Sequence, residues 1–183
     1  VDAASTKPFG FIRFEPGPGM GGHCLPIDPF YLAFTARQND FYPEFIELAG
    51  KVNQSQPRFC VSRIKRLLND RCLSVKNSRI LILGVSYKAG VGDIRESPAI
   101  KIIDLLADLG ADLQYHDPHV PELKESGLSN SEDLGTALEE ADLSVLVTSH
   151  PEVDLDQVVA KSEHLLDLRG VTRGREDSHI TRL

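Results

Sequence analysis

An α/β architecture, a helical region leading into a parallel, doubly wound sheet, is what this 183-residue sequence predicts. Three observations carry that expectation. From about residue 78 onward short apolar runs alternate with amphipathic stretches, and this order requires parallel strands joined by right-handed crossovers. Before them, apolar residues recur at helical spacing between residues 28 and 70. Earlier still, residues 1–27 hold five of the 14 Gly and four of the 11 Pro, a composition that regular structure excludes and loops accept.

Each element follows in order. Pro16-Gly17-Pro18-Gly19-Met20-Gly21-Gly22-His23-Cys24-Leu25-Pro26 is a loop. Asp28-Pro29 reads as an N-cap with Pro at the first helical position, opening a helix to about residue 39 with Phe30 and Phe34 on one face. Phe45, Leu48, Ala49 and Val52 form a second helical stripe, which resumes after Pro57 with Cys60, Val61, Ile64, Leu67 and Leu68. Because Pro57 lacks a backbone donor, a kinked helix or two helices in series are both expected. Residues 79–85 make a buried strand, and Ser97-Pro98 opens a helix that Gly110 ends. Leu113 and Tyr115 lie on a second strand closed by Asp117-Pro118, Ser131 opens a helix to residue 141, and residues 143–148 form a third strand. A short helix at 154–161 and a fourth strand at 164–168 complete a Rossmann-like β-α-β-α-β-α-β unit. The chain divides on this reading into residues 1–76, carrying the loop and the central helices, and residues 77–183, carrying the sheet.

Composition narrows the function classes. Twenty Lys+Arg against 27 Asp+Glu give a formal charge of -7, a field that repels phosphate backbones and argues against a nucleic-acid partner. No apolar stretch approaches the roughly 18 residues needed to cross a bilayer, so a membrane partner is not expected. Cys24, Cys60 and Cys72 match neither a disulfide framework nor a zinc site, which points to a reducing, cytoplasmic setting and to no metal. The chain starts Val-Asp-Ala-Ala without Met or an apolar leader, and it is read as part of a longer protein.

Cys24 is the sharpest chemical candidate. A thiolate is a strong nucleophile, and this cysteine lies in a glycine-rich loop just before a helix N-terminus, whose positive end favours the anion. Gly19, Gly21 and Gly22 leave room for a substrate and expose backbone amides; a small buried turn cysteine is the alternative. Cys60 and Cys72 read as structural. Asp28 could assist a water near the sulfur or cap its helix. After the first strand, residues 84–98 lack the G-x-G-x-x-G pattern of a dinucleotide turn. They carry Lys88 and Arg95 instead, a point charge and a fork suited to phosphate oxygens beside a helix N-terminus. Asp117 fits either a ribose-binding acid or a turn residue.

Two long motifs then coincide with a known family. Gly19-Met20-Gly21-Gly22-His23-Cys24-Leu25-Pro26-Ile27-Asp28-Pro29 and Tyr87-Lys88 through Asp93-Ile94-Arg95-Glu96-Ser97-Pro98 resemble the UDP-sugar 6-dehydrogenases, with support from Asn53, Pro57 and Tyr115-His116-Asp117-Pro118. The resemblance covers the later part of that architecture and omits its N-terminal NAD-binding domain. It implies oxidation of the C6 alcohol of a UDP-sugar to a carboxylate in two hydride transfers to the cofactor NAD, through a Cys24 thiohemiacetal and thioester. It further implies that Asp28 assists the acid-base and hydrolysis steps, Gly21 and Lys88 contact the substrate, Arg169 lies near the nucleotide, and Arg95 contacts the NAD phosphates. A homodimer through the central helix is implied as well. His23 and Ile27 match the N-acetylhexosamine branch, whereas Ala89-Gly90 replaces a more polar pair. UDP-glucose 6-dehydrogenase and a non-catalytic nucleotide-binding or dimerisation module are the alternatives, and a thiol hydrolase is a more distant one.

Overall fold

Thirteen elements are present in the computed structural model, which describes residues 1–124 and 126–183. In chain order they are Asp2–Ser5 (α1), Asp28–Arg37 (α2), Glu44–Asn69 (α3), Arg79–Leu83 (β1), Pro98–Asp108 (α4), Asp112–His116 (β2), Glu122–Leu123 (β3), Leu128–Ser129 (β4), Leu134–Glu140 (α5), Leu143–Leu146 (β5), Leu155–Lys161 (α6), Leu165–Asp167 (β6) and Ile180–Arg182 (β7). The main sheet runs β2-β1-β5-β6-β7 with every neighbouring pair parallel, and β3 and β4 form a small antiparallel pair. β1 therefore stands where the strand order reverses, and ligands of doubly wound sheets gather beyond the carboxyl ends at such a point.

The period-2 alternation of side chains across the sheet builds two cores. Ile80 and Ile82 of β1 and Leu143 and Val145 of β5 turn to one face, where they pack with Ile64 and Leu68 of α3 and Ile102 and Leu106 of α4. Leu81, Leu83 and Leu146 turn to the other, against Ala137 and Leu138 of α5 and Val158 and Val159 of α6. The second half of α3 thus shares the sheet's own core.

Three expectations are corrected and one open choice is decided. At Pro57 the chain does not split into two helices in series: α3 is one 26-residue helix with Pro57 buried inside it. The Asn53 carbonyl that lacks a Pro57 amide faces the glycine-rich loop, where a Cβ on Gly19 would stand 3.6 Å from it. Asp28 is not the N-cap of α2; that place belongs to Ile27, already in a helical conformation, and α2 has no side-chain cap. The turn begins earlier, because the Cys24 carbonyl accepts from the amides of Ile27 at 3.1 Å and Asp28 at 2.9 Å. Asp133, not Ser131, caps α5, accepting from the Gly135 amide at 2.9 Å. Strands β1, β5 and β6 stop one or two residues short of the expected ends, and α1, the β3-β4 pair and β7 are additions. Among the described residues no helix is long and apolar enough to cross a membrane.

Candidate functional site

Three strand ends, those of β1, β5 and β6, deliver residues of one cleft. Past β1, Gly84 has φ +77°, and a Cβ there would come 2.1 Å from the Thr148 carbonyl oxygen, so only glycine lets the exits of β1 and β5 run so close. The chain then passes to Tyr87 and the exposed Lys88, whose ammonium lies 5.6 Å from the Tyr87 ring centre. Past β6, the Asp167 carboxylate accepts from the amides of Arg169, Gly170 and Thr172, each at 2.8 Å, and this bent turn presents Arg169. A cavity of about 300 Å³ joins these pieces, lined by Pro18, Gly19, Tyr87, Lys88, Pro98 and Arg169 among others. The Pro98 wall is the first turn of α4, capped by Ser97 accepting from the Ala99 amide at 3.2 Å. A helix N-terminus, a lysine and an arginine around one cavity are features suited to an anion, and the Glu15 carboxylate lies on the same wall.

The glycine-rich loop is pressed onto this cleft. The Gly22 amide donates to the Arg95 carbonyl at 2.9 Å. A Cβ on Gly21 would meet the Glu96 carbonyl oxygen at 2.5 Å, and one on Gly22 (φ +88°) would meet the Tyr87 ring at 3.1 Å. On its other side the loop is tied to α3, since the Asn53 side chain accepts from the Met20 amide at 2.8 Å and donates to the Met20 carbonyl at 3.3 Å. Pro18 and Gly19 line the cavity, and Cys24, two residues after Gly22, is exposed and free. The expected buried-turn alternative for Cys24 is absent. Asp28 is exposed in the first turn of α2. Cys60, in contrast, is buried, and burial pushes its thiol up to about 11, so it stays protonated and inert at neutral pH.

Arg95 is held as a fork on Asp93, Nε to Oδ1 at 3.0 Å and Nη to Oδ2 at 2.5 Å. That pairing pulls the Asp93 carboxyl down to about 2, and the guanidinium side chain remains 63% exposed. For a dinucleotide the described residues supply this one guanidinium and no cradle. Asp117, the one acid placed like a ribose ligand, is committed elsewhere. It is fully buried; burial opposes its charge, but the amides of His119, Val85 and Ser86 and the ring of His150 hold the carboxyl below its ordinary value. The turn reading of Asp117 is the one the structure carries, and NAD does not fit within this chain alone.

Sequence reasoning placed the loop with Lys88 and Arg95, and Arg169, at the carboxyl end of the sheet; in the structure Lys88 and Arg169 line one cavity, and the loop of Gly21 and Cys24 is tied to Arg95 beside it. His150 was placed beyond a strand end but given no role; its ring bonds Asp117 and Ser86 at 3.0 Å each. The only signal was its position just beyond a strand end. A second, mostly apolar cavity of about 810 Å³ opens between α2 and α3, lined by Leu25, Phe30, Phe34 and Ile46 among others.

Comparison with known proteins bears on the family and the fold. Residues 1–55 match the central domain of the UDP-glucose/GDP-mannose dehydrogenase family, and residues 81–174 match its UDP binding domain. The chain is 34% identical over 169 residues to the UDP-N-acetyl-D-mannosamine dehydrogenase of Yersinia pestis, covering 87% of this chain and 39% of that protein. Against the enzyme of the same name from Pyrococcus horikoshii identity is 33% over 152 residues, covering 83% and 34%. The solved structure of UDP-D-ManNAc dehydrogenase from Pyrococcus horikoshii superposes with a TM-score of 0.80 at 28% identity, over 99% of this chain and 42% of that one. This chain therefore spans about two fifths or less of the relatives it matches. With more than half of its residues inside the match to the UDP binding domain alone, the chain belongs to the UDP-glucose/GDP-mannose dehydrogenase family.

Proposed function

We propose that this chain is the substrate-gripping and nucleophile-bearing part of an NAD-dependent UDP-N-acetylhexosamine 6-dehydrogenase. One observation carries the reading: the Gly22 amide fastens the Cys24 loop to the Arg95 carbonyl, so a thiol and an anion-binding cleft share one wall. Lys88 and Arg169 would grip the diphosphate of a UDP-sugar from the cavity they line, and Gly21 would let the sugar approach the loop backbone. Two successive two-electron oxidations at C6 take the alcohol to an aldehyde and then to the acid level. Between them the Cys24 sulfur adds to the aldehyde carbon, giving a thiohemiacetal. Loss of the second electron pair leaves a thioester, and water activated by Asp28 releases the carboxylate and returns the thiol. NAD, held mainly by parts of the whole enzyme outside this chain, supplies the hydride acceptor when bound, with Arg95 facing its phosphates. The division at residues 76 and 77, pairing through α3, and a cytoplasmic setting that keeps Cys24 reduced belong to the same proposal. His23 and Ile27 support the N-acetylhexosamine substrate over UDP-glucose.

The test uses the whole enzyme. NADH formation is compared with UDP-GlcNAc, UDP-ManNAc and UDP-glucose, and product acid is assayed in Cys24→Ser. The expected result is preference for an N-acetylated sugar, with at least roughly a hundredfold less acid released by the variant, in the range seen when nucleophilic catalysis is lost. Undiminished acid from Cys24→Ser rejects the nucleophile. UDP binding without any oxidation of these sugars would favour the non-catalytic module.

A further inference from the structure

The segment that carries Lys88 is fastened from within. Lys88, Ala89 and Gly90 are all exposed, and a Cβ added to Gly90 would find nothing within 4 Å. The turn is open to solvent at Gly90, while the Tyr87 amide donates to the Asp93 carbonyl and the Ser86 amide to Asp117. Two further bonds come from His150, which is 1% exposed just beyond β5.

The directions of these bonds assign the ring. The Gly90 amide donates to His150 Nδ1 at 3.2 Å. A backbone amide has only a proton to give, so Nδ1 is bare. A neutral imidazole then carries its proton on Nε2, which points at Asp117 Oδ2 and Ser86 Oγ, both at 3.0 Å. The Ser86 hydroxyl passes its own proton to the Lys88 carbonyl at 3.0 Å, and the Thr148 hydroxyl donates to the Ser86 carbonyl at 2.7 Å. Every donor in this chain has an acceptor, a condition that makes a buried polar network rigid. The ionisable groups around the ring are Asp117, His119 with its ring centre 4.9 Å away, and Glu152, 3.2 Å from His119 Nε2. His119, His150 and Glu152 place ligand atoms within 4.8 Å of one another, but both nitrogens of His150 are already engaged, so the cluster does not read as a metal site.

We propose that His150 is a positioning residue for the anion-binding turn: its neutral ring holds Gly90 with one nitrogen and Ser86 and Asp117 with the other, fixing residues 86–90 in the form in which Lys88 meets a diphosphate. The ligand in this statement rests on the proposed UDP-sugar function; the ring's role in shaping the turn does not. Ordering a flexible turn before binding removes a cost otherwise charged against affinity.

Three variants of the chain separate the two nitrogens. His150→Asn keeps an acceptor near the Nδ1 position. His150→Gln keeps a donor toward Asp117 but loses the acceptor for Gly90, and His150→Phe loses both. Each is read by calorimetric titration with UDP, by exchange of the Gly90 amide proton, and by melting temperature. His150→Gln and His150→Phe should each weaken UDP by roughly tenfold, as expected for a lost hydrogen bond to a buried ring, and speed Gly90 exchange; His150→Asn should stay within about threefold of the parent. Affinity that follows melting temperature across the series, without regard to the acceptor, overturns the proposal, as does unchanged Gly90 exchange in His150→Gln. If His150→Phe does not fold, the contrast between Asn and Gln decides. Absence of UDP binding by the unaltered chain counts against the substrate reading, and the exchange data still judge His150.

Discussion

At Gly21 the backbone of one loop comes so near another that a methyl group has no place. Its would-be Cβ meets the Glu96 carbonyl oxygen at 2.5 Å and the Tyr87 Cβ at 2.9 Å, and neither a backbone carbonyl nor a Cβ can swing away. Gly21→Ala should therefore lift the Cys24 loop off the segment bearing Tyr87 and Arg95. We expect a stability loss of about 1–3 kcal/mol, typical of overpacking, measured by urea unfolding. We also expect a changed rate of Cys24 alkylation relative to Cys72. Equal stability and equal labelling would show that the close approach is not maintained in solution. The glycine run was visible in the sequence as a loop with room in it. Which of its members is pinned, and by which residue, was not, because the partner lies some 75 positions away and only the tertiary fold brings it in.

Helix α3 changes character along its length. Its second half buries Cys60, Val61, Ile64 and Leu68 in the sheet's core, whereas its first half leaves Phe45 88%, Leu48 56% and Val52 49% exposed. Phe34 and Phe41 of the preceding segment are also open, at 61% and 64%, and large apolar side chains left to water in such number are of the kind that monomeric proteins rarely present. A face that one helical period marks as buried and the chain leaves open is expected to be covered by another subunit. The double variant Phe45→Glu, Leu48→Glu should convert a dimer to a monomer in sedimentation velocity, with the monomer's secondary structure unchanged. A parent chain that sediments as a monomer at all concentrations would refute pairing through α3. The apolar period of this helix was legible from the sequence, and so were the two forms that Pro57 allows, a kinked helix or two in series. Local propensity does not choose between them, and only the tertiary fold joins both halves into one helix. The short strand β7 escaped for a related reason. Three residues, two of them polar or charged, have no periodicity to read, and Ile180–Arg182 becomes a strand only because β6 offers it an edge.

Across the whole molecule the alternating pattern made the parallel sheet and its ligand-binding edge legible, and the wiring of that edge was not. Asp117 is the clearest case, since the ribose and turn readings fit its sequence position equally well. Its carboxylate accepts from the amides of Val85 at 2.8 Å and His119 at 2.8 Å, and it faces His150 from beyond β5. It thereby ties the exits of β1, β2 and β5 together. Burial works against its charge, but these donors hold the folded-state carboxyl below its ordinary value of 3.8. A carboxyl lowered on folding stabilises the protein at pH values above the unfolded value, and that contribution disappears as pH falls through the folded one. Asp117→Asn should accordingly destabilise the chain at neutral pH by about 2–4 kcal/mol, the range for disturbing a buried hydrogen-bonded charge. The gap between variant and parent should narrow as pH drops below 3.8, where the unfolded chain begins to take up the proton, and close once the folded carboxyl is protonated too. Urea unfolding from pH 7 down to the acid limit measures both effects. A gap that stays constant through the acid range would mean that Asp117 is not a charged latch, and the joining of the three strand ends would then need another cause.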